Sequence, residues 1–121
     1  MDWIFTYPNL LDRLEVADDA ALDTVPFGVV AMTEEGVVAS YNVAESRLTG
    51  LTPTKVVGRH FFSAVAPCTN NFMVAQRFET EDEIDATIDY VFTLRMKFTP
   101  VRLRLLKQPD APLMYMLVER V

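Results

Sequence analysis

The chain has 121 residues, half of them apolar, which suits one domain of ordinary size with a substantial core. Seventeen acidic against eleven basic residues give a net charge of -6, so the field of the whole molecule repels phosphate backbones and anionic lipid, and neither nucleic acid nor membrane is expected as a partner. One cysteine excludes an internal disulfide, and one histidine excludes a multi-histidine metal site. In chain order, Met1-Asp2-Trp3-Ile4-Phe5 lacks the basic start and apolar run of a signal peptide. No apolar run approaches the roughly 20 residues that span a bilayer. A soluble, cytoplasmic chain is expected.

Residues 1–26 read as a helical cap on the core formed by residues 27–121, within a single domain. Asn9 is placed to cap a short helix carrying Leu10, Leu11 and Leu14, and Asp18 and Asp19 start a second turn. Helices this short do not hold themselves together in water, so they are expected to dock, loosely, on something larger. Pro26 ends the cap.

Phe27 to Met32 and Val37 to Asn42 read as strands around a turn at Glu34-Glu35-Gly36, both apolar enough for central strands covered on two faces. Val43 to Leu48 reads as a short helix stopped at Gly50, and Thr52-Pro53 opens another, stopped at Gly58. Arg59 to Thr69 reads as a packed loop carrying Phe61, Phe62 and Cys68. Asn71 is placed to cap a longer helix running to about Glu81, with Phe72, Ala75 and Phe78 on one face. Its acidic end is left to solvent.

From Ile88 to Phe98 every second residue is apolar, and Asp89, Thr93, Arg95 and Lys97 fall between, which predicts one long antiparallel strand half in water. Val101 to Lys107 continues with Arg102 and Arg104 on a solvated face. Pro109-Asp110-Ala111-Pro112 then turns the chain into a last strand, Leu113 to Val121. This order predicts an α+β fold: a central antiparallel β-sheet flanked by helices, mainly on one face, with a pocket between the central helices and the sheet.

The catalytic inventory is thin. His60 is the only histidine available to a serine or cysteine nucleophile, and the four glycines are too scattered to cradle a phosphate. Read from its residues alone, Cys68 is either a small packed thiol or a thiol activated by the N-terminus of the following helix, whose amides would favour a thiolate or donate to a thioester carbonyl. Tyr41 and Glu45 straddle a strand-to-helix junction that would aim both polar tips into one pocket; they are equally read as a core tyrosine and a surface glutamate.

The runs Tyr41-Asn42-Val43-Ala44-Glu45 with Leu48-Thr49-Gly50, Val57-Gly58-Arg59-His60-Phe61-Phe62, and Val65-Ala66-Pro67-Cys68-Thr69 closely resemble the photoactive yellow protein family, whose fold is the PAS fold. The likeness extends from Asp23 to Val121 and more weakly into the cap. The resemblance implies a blue-light photoreceptor and no enzyme. Cys68 would carry trans-p-coumaric acid (4-hydroxycinnamic acid) as a thioester. Tyr41 and Glu45 would hydrogen-bond its phenolate oxygen, and Thr49 would hold the Tyr41 hydroxyl. A buried phenolate is costly unless short charge-assisted hydrogen bonds spread its charge, so Glu45 would be protonated in the dark. The resemblance further implies that light isomerises the chromophore, that Glu45 passes its proton to the phenolate, and that the buried carboxylate loosens the cap up to about Val25 for an unidentified signalling partner.

Phe61, Leu51, Leu94 and Met96 are expected to line the pocket. Leu51 stands where familiar members carry an arginine over the chromophore, and Phe92, Leu94 and Met96 where they have more aromatics. Glu119 replaces a lysine that meets the cap near Phe5. A monomer or weak homodimer is expected. The alternatives are a chromophore-free PAS interaction or dimerisation module and, third, a thiol enzyme using Cys68 and His60.

Overall fold

In a computed structural model describing residues 2–94 and 96–121, two short helices, α1 (Leu10–Glu15) and α2 (Asp19–Leu22), lead into β1 (Gly28–Met32) and β2 (Val38–Tyr41). Next come α3 (Val43–Thr49), α4 (Pro53–Val56), a π-helical turn (Phe61–Val65), a 3-10 turn (Pro67–Thr69) and α5 (Ala75–Thr80). The chain ends in β3 (Ile84–Leu94), β4 (Lys97–Lys107) and β5 (Met114–Arg120). Among the described residues the strands form one five-stranded sheet, ordered β2-β1-β5-β4-β3, with antiparallel pairing throughout.

Local chemistry accounts for most boundaries. Asp18 caps α2 by accepting from the Ala21 amide at 2.8 Å. Asn42 caps α3 in the same way, and Gly50, at φ 80, closes it in the left-handed conformation that glycine adopts without strain. Pro53 opens α4 at a position where its missing N–H costs nothing. Gly36, at φ 84, reverses the chain between β1 and β2.

The structure corrects the sequence reading at several elements. Asn9 is itself left-handed (φ 58) and its side chain makes no cap, so α1 is entered through a turn. β1 is buried on both faces, but β2 is a sheet edge and its middle residues are half-exposed. The expected strand from Ile88 to Phe98 is a hairpin: β3 and β4 pair from Ile84 opposite Lys107 to Leu94 opposite Lys97. Apolar alternation continues through that turn because Met96 takes φ 65, a conformation usually left to glycine or asparagine, so no turn residue marks the reversal. Met96 and Phe98 are exposed as a result, and Arg95, expected on the polar face, lies outside the described residues.

The expected loop from Arg59 to Thr69 is wound into the π and 3-10 turns. The helix expected from Asn71 starts only at Ala75. Asn71 spends its carbonyl oxygen Oδ1 on the Met73 and Val74 amides, and the Gln76 amide reaches back five residues to the Asn71 backbone carbonyl at 3.0 Å. Ala75 and Phe78 are buried, whereas Phe72 is exposed.

Alternation along the strands divides the core. On one face Val30, Met32, Leu103, Leu105, Met116 and Val118 pack against Val56, Phe61, Phe62 and Phe78. On the other, Val29, Ala31, Leu106, Tyr115 and Leu117 are covered by Leu10, Leu11, Leu14 and Leu22 of the cap. Arg104 does not lie on a solvated face; it is buried beneath the cap and paired to Asp85, while Arg102 stays half-exposed.

Candidate functional site

The site begins where β2 becomes α3. Tyr41 ends the strand with its side chain toward the helix-covered face, and Asn42 turns the chain by capping α3. That places Glu45 in the first turn of α3 and Thr49 one turn later. Asn42 is 1% exposed and fully satisfied. Its Oδ1 accepts from the Glu45 amide at 3.1 Å and the Val29 amide at 2.8 Å, and its Nδ2 donates to the carbonyls of Leu22 and Phe27, each at 3.0 Å. One buried amide thus joins α2 of the cap, β1 and the helix that carries Glu45.

Glu45 is also 1% exposed, and its Oε1 has no hydrogen-bond partner. Burial alone, with no cation to offset it, pushes its carboxyl up to about 8, so it is predominantly protonated at neutral pH. Gly28 makes room for it: a Cβ there would collide with Oε1. The Tyr41 phenol is raised above its ordinary range, first by burial and then by Glu45 beside it, with the Thr49 hydrogen bond acting the other way.

Thr49 has one hydroxyl proton and two claimants. Its Oγ1 lies 3.1 Å from the Glu45 carbonyl and 2.8 Å from Tyr41 Oη, and it also accepts from the Leu51 amide at 3.2 Å. When the proton goes to the Glu45 carbonyl, Tyr41 donates to Thr49. When it goes to Tyr41, the phenol proton is free to point into the pocket.

Tyr41, Glu45 and Thr49 open into a cavity of about 360 Å³ whose wall also includes Cys68. Leu51, Phe61 and Leu94 line it, with Phe92 and Val65, so the space is mostly apolar with a few convergent polar groups. Met96, expected on the pocket side, is 98% exposed at the hairpin tip, because the chain reverses after Leu94.

Cys68 lies in the 3-10 turn, half-buried. Its backbone carbonyl accepts from the Tyr90 hydroxyl and, at 3.3 Å, from Asn71 Nδ2, which also approaches Tyr90 Oη at 2.6 Å. The helix N-terminus expected beside Cys68 is not there, since α5 begins at Ala75. His60 lies outside this cavity; its Nδ1 is 2.8 Å from Ser63 Oγ and accepts from the Ser63 amide at 3.2 Å. Cys68 and His60 are not brought together.

Asn42, Gly28, Tyr90 and Asn71 are the members that sequence reading passed over. Asn42 carried a readable signal, an asparagine directly before a helical run. Tyr90 is one more apolar residue in an alternating strand, and nothing in the sequence separates it from its neighbours. Glu119, read as replacing a lysine that meets the cap, approaches Arg102 at 3.5 Å. Among the described residues no group of three metal-ligating side chains occurs, and no helix is long and apolar enough to cross a membrane.

No family model matches the chain. It is 33% identical over 106 residues to photoactive yellow protein of Rhodothalassium salexigens, covering 85% of each chain. It is 30% identical over 118 residues to that of Rhodobacter capsulatus, covering 93% of each. The solved photoactive yellow protein domain of the sensor histidine kinase Ppr from Rhodospirillum centenum superposes with a TM-score of 0.83 at 33% identity, over 90% of this chain and 98% of that one. The PAS domain of an HTR-like protein from Haloarcula marismortui, 14% identical, shares the fold with a TM-score of 0.62 over 95% of this chain and 100% of that one. With this fold, and with relatives at 30% identity or more over most of its length, the chain belongs to the photoactive yellow protein family.

Proposed function

We propose that the chain is a blue-light photoreceptor that carries p-coumaric acid as a thioester on Cys68. The observation that supports this most directly is Glu45: a buried carboxyl with an unpartnered oxygen, facing the same cavity as the only cysteine. Such a group is costly without a ligand, and a protonated carboxyl beside the Tyr41 hydroxyl is a donor pair suited to a phenolate oxygen. The apolar wall and the cavity of about 360 Å³ suit a single aromatic ring with a short unsaturated arm.

Attachment requires an activated thioester of the acid: Cys68 Sγ gives up its proton and attacks the acyl carbon, the bond from that carbon to the carrier sulfur breaks, and the departing carrier thiolate takes up the proton. When bound, the coumaroyl group supplies blue-light absorption and a double bond whose isomerisation moves its phenolic oxygen. In the dark Glu45 holds its proton and Tyr41 donates into the pocket, with Thr49 turning its own proton to Tyr41. Tyr90 and Asn71 hold the peptide carbonyl of Cys68, so the sulfur has a fixed origin. After light, Glu45 would give its proton to the phenolate oxygen and leave a carboxylate in a space that offers Oε1 no donor. An unpaired buried charge costs several kcal/mol, comparable to the docking energy of two helices as short as α1 and α2. The Asn42 side chain, bonded to both the Glu45 amide and the Leu22 carbonyl, connects this strain to the cap, which loosens and changes the surface open to a signalling partner.

The test is reconstitution with activated p-coumaric acid. The chain is expected to gain a visible band and one covalent adduct at Cys68, and Cys68→Ala is expected to gain neither. A wild-type chain that stays colourless would remove this reading and leave a chromophore-free module.

A further inference from the structure

We propose that Arg104 is the residue that fastens the N-terminal cap to the sheet and sets how often the cap lifts. Residues 2–9 form no helix or strand; the Ile4 and Asn9 carbonyls accept from the Tyr7 and Asp12 amides, and Arg104 supplies the partner of two others. Its Nη1 donates to the Phe5 and Tyr7 carbonyls, both at 2.8 Å, across 99 and 97 residues of sequence. Its Nε and Nη2 engage the two carboxylate oxygens of Asp85 at 2.9 and 3.0 Å.

Four of the five guanidinium protons are therefore placed, in a residue only 5% exposed. Asp85 sits diagonally across the β3–β4 pair, on the strand position opposite Leu106, and holds the planar fork in one orientation. The Phe5 ring meets Phe27 edge to face at 5.4 Å, so the same residue is anchored by its carbonyl and by its ring.

Arg104 meets the backbone carbonyls of the cap and none of its carboxylates, and Asp85 balances its charge. Lysine cannot replace Arg104, because a single ammonium does not reach two carbonyls and a bidentate carboxylate together. This inference goes beyond the photoreceptor reading and holds in the dark without pigment.

Amide hydrogen exchange on the full, pigment-free chain in the dark tests it. Arg104→Met is expected to raise exchange at the hydrogen-bonded amides within residues 2–15, those of Tyr7 and Asp12 among them, by at least about tenfold while β1 and β5 keep their protection. Arg104→Lys is expected to stay close to Arg104→Met. Asp85→Asn, a milder change at a half-exposed side chain, is expected to give a smaller rise of about threefold in the same segment. Unchanged exchange in residues 2–15, or a rise shared equally by the strands, overturns the proposal. If Arg104→Met does not fold, Asp85→Asn decides alone, and exchange identical to wild type overturns it.

Discussion

Glu45 combines two properties rarely found together in a carboxyl: it is buried, and one of its oxygens has no donor. Burial pushes its carboxyl from an ordinary 4.5 up to about 8 in the folded, pigment-free chain. Below the lower value both states hold the proton and stability is intact. Between the two values the unfolded state loses its proton first, so folding stability falls by about 1.4 kcal/mol per pH unit and levels off above the higher value. Urea unfolding from about pH 4 to about pH 9 should show this slope, and Glu45→Gln should flatten it. The residue types of the site were readable in the sequence, because Tyr41, Glu45, Thr49 and Cys68 lie in short runs of characteristic pattern. Read from the residues alone their environments were not, and the burial of Glu45 entered only as what the resemblance implies. Whether a glutamate four residues after a tyrosine is buried depends on Gly28, seventeen positions away, leaving room for its carboxyl.

Among the elements, α3 is tied to β1 and to α2 by a single side chain, Asn42. Asn42→Ala would leave the Val29 and Glu45 amides and the Leu22 and Phe27 carbonyls without their side-chain partner in a buried setting. A loss of about 2–4 kcal/mol in urea unfolding is expected, with residues 19–22 losing exchange protection before β1 does. The stop at Gly50, the start at Pro53 and the cap at Asp18 were legible because each acts within a few residues, whereas Asn42 was read only as a strand end and the cap read at Asn9 does not form. The β3–β4 hairpin was not. Its turn carries Met96 in a glycine-like conformation and keeps the apolar alternation running, so pattern alone extends one strand through a reversal. α5 shrank for a related reason, since Asn71 serves the turn before the helix and not its first residues.

At the scale of the molecule, one sheet separates the pocket from the cap, and neighbouring residues of one strand belong to different layers. Met116 packs on the pocket side and Leu117 under the cap. Each changed to alanine should cost about 2–5 kcal/mol. The accompanying effects should differ: Leu117→Ala speeds exchange in residues 10–22, and Met116→Ala shifts the absorbance of the reconstituted chain. Equal effects of both on cap and pigment would contradict this two-layer division. By itself the sequence determined the α+β class, the cap followed by a sheet, and the runs that carry the family pattern, because composition, periodicity and capping are short-range properties. Only the tertiary structure decided that Arg104 is a buried anchor and not a solvated charge, that β2 is an edge, that Met96 leaves the pocket and that Glu45 lacks a partner. Each of these depends on which distant backbone arrives above a given side chain, and strand alternation does not say what covers a face.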